Sequence, residues 1–161
     1  MLIRQATTED LDEVLAIEES NFSAAEAMSR EAIDNHIRKI PDTFLIAEID
    51  GAVAGYIEGP VVAEALLTDD LFLDVAPNQP VAGFVAVTSL SIHPDFKGQG
   101  IGTALLAAMK DVVAARQGKG IVLTCHDYLI AYYEMNGFVD QGESASTYAN
   151  EVWYDMLWLN A

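Results

Sequence analysis

Three glycines at alternate positions, Gly98, Gly100 and Gly102, stand between a β-rich run at residues 84–92 and an apolar, helix-forming run that reaches residue 116. A chain that passes from strand through such a turn into a helix presents the first-turn N–H groups at the positive end of the helix dipole, with no partner inside the helix. Glycine allows left-handed backbone and lets a bound group approach without meeting a Cβ. The arrangement suits an anion, phosphate above all, and Thr103 adds a hydroxyl at the helix start. It is not a P-loop, because the Lys–Ser/Thr ending is missing, and its place after several predicted strands does not fit an N-terminal dinucleotide fold. Taken alone, the same glycines also fit a plain tight turn.

The segments around this turn predict one domain. Residues 2–5 read as a strand, and Thr7 with Asp10 three residues on forms a capping-box pattern ahead of Leu11, Val14, Leu15, Ile17 and Phe22 at helical spacing. Ser29 is a predicted N-cap for a second helix that carries Ala32, Ile33, His36, Ile37 and Ile40 on one side until Pro41 stops it. Residues 43–49 and 52–57 flank the hairpin dipeptide Asp50-Gly51. Residues 59–83, with Pro60, Pro77, Pro80 and an apolar patch at Leu66, Leu67, Leu71 and Phe72, predict a surface insertion, with a lid over 60–82 as its functional reading and a short helix over 64–73 as an alternative. After the glycine turn come a long helix ended by Gly118 and Gly120, a buried strand at 121–124, a short helix at 129–134 and closing strands at 138–141 and 152–159. The expected class is α/β (α+β): a mixed, twisted sheet of about seven strands flanked by helices. The 161 residues fit a single domain, 1–161, without repeat or linker.

Charge narrows the partners. With 25 acidic and 8 basic residues the formal charge is −17, which disfavours nucleic acid because phosphate binding depends on Lys and Arg. No Lys or Arg occurs between Lys39 and Lys97, where Asp42, Glu48, Asp50, Glu58, Glu64, Asp69, Asp70, Asp74 and Asp95 all fall. Such a field attracts cations, protonated amines included, and it equally serves solubility. No apolar run reaches the roughly 18 to 20 residues of a membrane span, so a cytoplasmic location without a membrane partner is expected. The single cysteine, Cys125, allows no internal disulfide and no thiolate cluster, and packing is its simplest role. No metal site is expected.

The stretch Leu90-Ser91-Ile92-His93-Pro94-Asp95-Phe96-Lys97-Gly98-Gln99-Gly100-Ile101-Gly102-Thr103-Ala104-Leu105-Leu106 resembles the acetyl-CoA signature of the GNAT acetyltransferase superfamily. That pattern is Arg or Gln, two residues, Gly, one residue, then Gly or Ala; Lys97 stands at its first position and keeps the cation. The resemblance implies that the backbone of Leu90, Ser91 and Ile92 pairs with the pantetheine arm of acetyl-CoA, and that Lys97, Gly98, Gln99, Gly100, Ile101, Gly102 and Thr103 hold the diphosphate. Ala131-Tyr132-Tyr133-Glu134-Met135-Asn136-Gly137-Phe138 is similar to a second family element, with Tyr133 on its tyrosine. By that likeness Tyr133 is the general acid that protonates the departing thiolate, a step that suits a leaving group with a pKa near about 8.5. Packing of a short helix is the alternative role of both tyrosines.

Residues 17–27, Ile17-Glu18-Glu19-Ser20-Asn21-Phe22-Ser23-Ala24-Ala25-Glu26-Ala27, are similar to the first-loop pattern of bacterial relatives of arylalkylamine N-acetyltransferase. That likeness implies a small-molecule amine as acceptor and places Phe22, Glu26 and Thr88 at its pocket. Arylalkylamine enzymes carry two histidines on the strand before the turn, where this chain has Ala86 and Thr88. Thr88 or Ser89 ordering a water, with Glu26, Glu58 or His126 receiving the proton, is the substitute the sequence offers; His93 reads as structural and His36 as a half-buried or surface residue. The resulting expectation is direct attack of a neutral amine on acetyl-CoA, with protein or peptide N-acetylation, or a CoA-binding module without catalysis, as alternatives. The resemblance is also compatible with a homodimer.

Overall fold

The computed structural model describes residues 1–80 and 82–161; Val81, within the 60–82 insertion, lies outside the described residues. In chain order the elements are β1 (Leu2–Gln5), α1 (Leu11–Asn21), α2 (Arg30–Lys39), β2 (Phe44–Ile49), β3 (Ala52–Glu58), β4 (Val61–Val62), β5 (Phe84–Val87), β6 (Ser89–Ile92), α3 (Ile101–Ala115), β7 (Gly120–Cys125), α4 (Ile130–Met135), β8 (Val139–Glu143) and β9 (Tyr154–Leu159). Local chemistry sets several boundaries. Asp10 accepts the Thr7 N–H at 2.8 Å, completing the box that opens α1, and the Ser29 hydroxyl accepts the Ala32 N–H at 3.1 Å at the start of α2. Asp50 and Gly51 take φ of +50° and +80°, the left-handed pair that a two-residue hairpin needs between β2 and β3.

Two sheets form, in the order β1-β2-β3-β6 and β4-β5-β7-β9-β8. β5 and β7 run parallel, and all other neighbours are antiparallel. The single strand expected over 84–92 is broken at Thr88, whose N–H bonds Glu58 O at 2.9 Å while Ser89 stands opposite the same Glu58. Two residues facing one is a β-bulge, which adds twist and turns the strand away from its former neighbour. β5 therefore stays with β7, and β6 stays with β3. Gly59 and Pro60 interrupt β3 in the same region, so the expected seven or so strands appear as nine segments. Mixed architecture flanked by helices is as the sequence predicts.

Period-2 alternation, shifted by one residue at the β-bulge that Ala54 makes opposite Ala47 and Glu48, assigns the two faces. Leu45, Ala47, Ala54, Ile57, Val85, Val87, Ile121 and Leu123 point to α3, which presses Leu105, Leu106, Met109 and Val113 across both sheets. On the opposite face α1 and α2 bury Val14, Ile17, Ile33 and Ile37 against Phe44, Ile46 and Tyr56. The insertion covers the rest of that face: Leu67 packs on Ala86 and Val122, with Phe72 joining this cluster to the previous one. Residues 64–73 form no α-helix; a 3-10 turn at Asp69–Phe72 is their one helical piece, and buried Leu67 anchors the segment at a single point rather than by a helical stripe.

Candidate functional site

The turn before α3 has the predicted strain and the predicted openness. Gly98 and Gly100 adopt φ of +80° and +77°, and a Cβ at either would meet nothing within 4 Å. The first helical bond is Ala104 N–H to Gly100 O at 3.1 Å. Among the described residues, no protein group accepts an N–H from residues 98–103. At Gly102 the glycine serves packing instead, since a Cβ there would lie 2.5 Å from the Tyr132 hydroxyl of α4. A groove of about 390 Å³ runs past this turn. It brings together Leu90, Ser91, Ile92, Lys97, Gly98, Gly100, Ile101, Gly102 and Thr103, and leaves Gln99 outside its walls.

The groove follows the free edge of β6. His93 donates to Ala54 O at 2.8 Å and Ser91 lies opposite Tyr56, so the intervening Leu90 and Ile92 turn their main-chain groups away from β3. One of these is already engaged. Asn21, at the end of α1, donates through Nδ2 to Ile92 O at 2.7 Å and to Ser91 Oγ at 2.6 Å, while its Oδ1 is buried without a partner. The Ile92 carbonyl is thus held by Asn21, and Leu90 keeps the free edge.

Beyond Leu90 the groove meets a second cavity, of about 130 Å³, that the splay between β6 and β7 opens. Asn21, Phe22, Leu90, Tyr128 and Leu129 line both, so the two are continuous. Tyr133 borders the second cavity with a hydroxyl that has no protein partner among the described residues; burial pushes its pKa well up, which keeps it a proton donor. Glu18 is buried on the α1 wall, where burial raises its carboxyl although the Met28 N–H (3.0 Å), the Tyr56 hydroxyl and the Ser89 hydroxyl (2.8 Å) all donate to it. Across the cavity His126 Nε2 meets Glu26 Oε2 at 2.8 Å, and the His126 ring stacks on Trp153 and Tyr128 at centroid distances of 4.4 and 5.3 Å. Burial alone would raise Glu26, but the bonds from His126 and Ser23 outweigh it and leave the carboxyl below its ordinary value. Phe72 of the insertion stacks on Tyr148 at 4.3 Å and closes one side, and the Tyr148 hydroxyl holds Glu26 O at 3.0 Å.

The sequence matches the model of the acetyltransferase (GNAT) family over residues 8–138. The chain belongs to the GNAT acetyltransferase family. Over 111 residues, 69% of the chain, it is 32% identical to an uncharacterized N-acetyltransferase of Methanocaldococcus jannaschii, and it spans 58% of that relative's length. Its fold is similar to Ard1 from Thermoplasma volcanium, with a TM-score of 0.76 at 18% identity over 99% of this chain and 97% of that one. It is also similar to GphF, a GNAT-like decarboxylase in complex with isobutyryl-CoA, with a TM-score of 0.83 at 15% identity over 99% of both chains.

Within this GNAT chain, Phe22, Glu26 and Thr88 all line the second cavity, while Ala86 is buried against Leu67 and lines neither cavity. Thr88 donates its hydroxyl to Glu58 Oε1 at 2.6 Å, so it is a link to a deeper pair rather than a free group. That pair is Glu58 with His36, 2.6 Å apart and buried. His36 is not the half-buried or surface residue expected: it is 0% exposed, with Nε2 donating to Leu73 O at 2.7 Å. Burial alone would lower its pKa, but the Glu58 carboxylate and the Leu73 carbonyl carry it above the ordinary value. His93 accepts the Asp95 N–H at 3.0 Å and is structural. Cys125 is buried, and burial with nearby acids pushes its thiol up to about 11, which leaves it inert. Sequence reasoning passed over Glu18, Asn21, Tyr56 and Trp153. Only Glu18 carried a signal, an acid on the stripe that Val14 and Ile17 define.

Proposed function

We propose that the chain transfers the acetyl group of acetyl-CoA to the primary amine of a small cationic molecule, by direct attack while both substrates are bound. The observation that carries the reading is the set of amides at Gly98, Gly100, Ile101, Gly102 and Thr103, which bond no protein group among the described residues and line a groove that shares walls with the cavity beside the Tyr133 hydroxyl. Five such N–H groups around a helix start, with two left-handed glycines among them, fit a diphosphate; the Leu90 edge fits the amide-bearing pantetheine arm. Bound there, acetyl-CoA supplies an activated thioester. Leu90 N–H polarises the thioester carbonyl, and Tyr133 gives the leaving sulfur its proton. Glu18 and Glu26 make the acceptor end acidic, and Phe22, Phe72 and Trp153 supply apolar surface, a combination that favours an ammonium on an aromatic or alkyl body, as in the arylalkylamine class. The aromatic cover from Phe72 and Tyr148 favours a small amine over a peptide.

The test follows free-thiol release from acetyl-CoA across a panel of primary amines and N-terminal peptides. Turnover with small cationic amines, above that with peptides, is the expected result. Binding of acetyl-CoA with no thiol release across the panel, even at alkaline pH, would replace this reading with that of a non-catalytic CoA-binding module.

A further inference from the structure

A base must take a proton from an ammonium before its nitrogen can attack. Three acid–base groups lie near the acceptor cavity, His36 and Glu18 buried and His126 half-buried, and geometry separates them. His36 has both ring nitrogens engaged, by Glu58 and by Leu73 O, and does not line the cavity. Glu18 lines it but is already the acceptor for Met28 N–H and the Tyr56 and Ser89 hydroxyls. His126 differs from both. Its Nε2 faces the Glu26 carboxylate at 2.8 Å, which requires a proton on that nitrogen, and among the described residues no protein group bonds its Nδ1. With Nε2–H held by the carboxylate, Nδ1 is the ring nitrogen left to exchange a proton with the cavity. Stacking on Trp153 and Tyr128 fixes the ring plane, and the side chain keeps 21% exposure, enough to exchange a proton with water.

We propose that His126, oriented by Glu26, is the general base that deprotonates the acceptor ammonium through Nδ1. This rests on the acetyl-transfer reading above and names its missing proton acceptor. The ammonium gives one proton to Nδ1, and the neutral amine forms the C–N bond as the C–S bond breaks. The sulfur takes the Tyr133 proton, the second proton lost by nitrogen restores that hydroxyl, and the imidazolium releases its proton to water. Other titratable groups around the ring are Glu18 and Glu26 from α1 and the loop after it, the chain neighbours Cys125, Asp127 and Tyr128, Tyr133 from α4, and Tyr148 behind Trp153.

The test compares two acceptors of the same shape, 2-phenylethylamine, which is protonated at pH 7, and O-benzylhydroxylamine, which is neutral. His126→Gln should lower kcat/KM for the first about 100-fold at pH 7, the size of a general-base contribution, and for the second no more than a few-fold. Added imidazole should restore part of the loss in His126→Ala, and Glu26→Gln should lower kcat and move the acid limb of the pH profile with acetyl-CoA affinity unchanged. In the ligand-free protein, nitrogen-resolved NMR of the histidines should find Nε2 protonated and Nδ1 bare on His126. Equal losses for both acceptors, or the opposite tautomer, would overturn the base assignment while leaving acetyl transfer standing. Wild-type protein that acetylates neither acceptor nor any other amine would overturn both.

Discussion

Gly51 and Gly100 offer a matched pair for testing the diphosphate site. Both have left-handed backbone, with φ of +80° and +77°, and at neither would a Cβ meet an atom within 4 Å. Substitution by alanine therefore carries no steric term at either position, only the cost of holding an L-residue in that region, roughly 1–2 kcal/mol. Loss of glycine freedom in the unfolded chain offsets about 0.4–1 kcal/mol of this. Each variant should lose about 1 kcal/mol net, a fall in Tm of roughly 2–4 °C for a domain of this length. Their ligand affinities should part. Gly51 sits in the β2–β3 turn, remote from the groove, whereas Gly100 sets the direction of the free N–H groups at residues 101–103. A hydrogen bond to a charged oxygen contributes about 1.5–3 kcal/mol, so misaligning one of them in Gly100→Ala should weaken acetyl-CoA binding roughly ten- to hundredfold. Titration calorimetry with acetyl-CoA and with acetyl-pantetheine, which has no diphosphate, reads the difference. Gly100→Ala should weaken the first and spare the second, and Gly51→Ala should leave both unchanged. If the two variants bind acetyl-CoA equally well, the turn does not grip phosphate.

Two further perturbations separate chemistry from scaffold. Tyr133→Phe removes a hydroxyl that bonds no protein group, so the melting temperature should stay within about 2 °C while kcat falls about 100-fold, the scale of a general acid; unchanged turnover would remove Tyr133 from the mechanism. Asp10 is held below the usual carboxylate value by two 2.8 Å bonds from Arg4 and one from Thr7 N–H, against burial. Because the folded value is depressed, its stabilisation is present above the unfolded pKa of about 4 and is lost as pH falls through the folded value. Asp10→Asn should cost roughly 1 kcal/mol at pH 7, and the gap to wild type in thermal melts should close below about pH 3; a gap constant with pH would discount the ion pair.

Elements defined by neighbouring residues were legible in the sequence. The box at Thr7 and Asp10, the cap at Ser29, the Asp50-Gly51 turn and the glycines before α3 each act within a few positions, and all formed where expected. The break at Thr88 was not legible, because it arises from two competing neighbours, β3 and β7, drawn from distant segments. His36 was placed on the inward side of its helix by spacing, yet its full burial depends on Glu58 and Leu73 arriving to satisfy both nitrogens. The same holds for Glu26 and His126, which lie 100 positions apart. Glu18 could have been found: an acid between Ile17 and the next turn of an apolar stripe either breaks the packing or meets buried donors, and here it meets three.

The wedge between β6 and β7, where the proposed reading brings thioester and acceptor together, depends on one amino acid of slack. With one residue fewer between Val87 and Ser89, the chain would keep step with both flanking partners, β6 would zip onto the last residues of β7, and the wedge between them would fill with ladder bonds. Such a deletion is expected to leave a sheet better paired than this one, without the space that the proposed acceptor would fill.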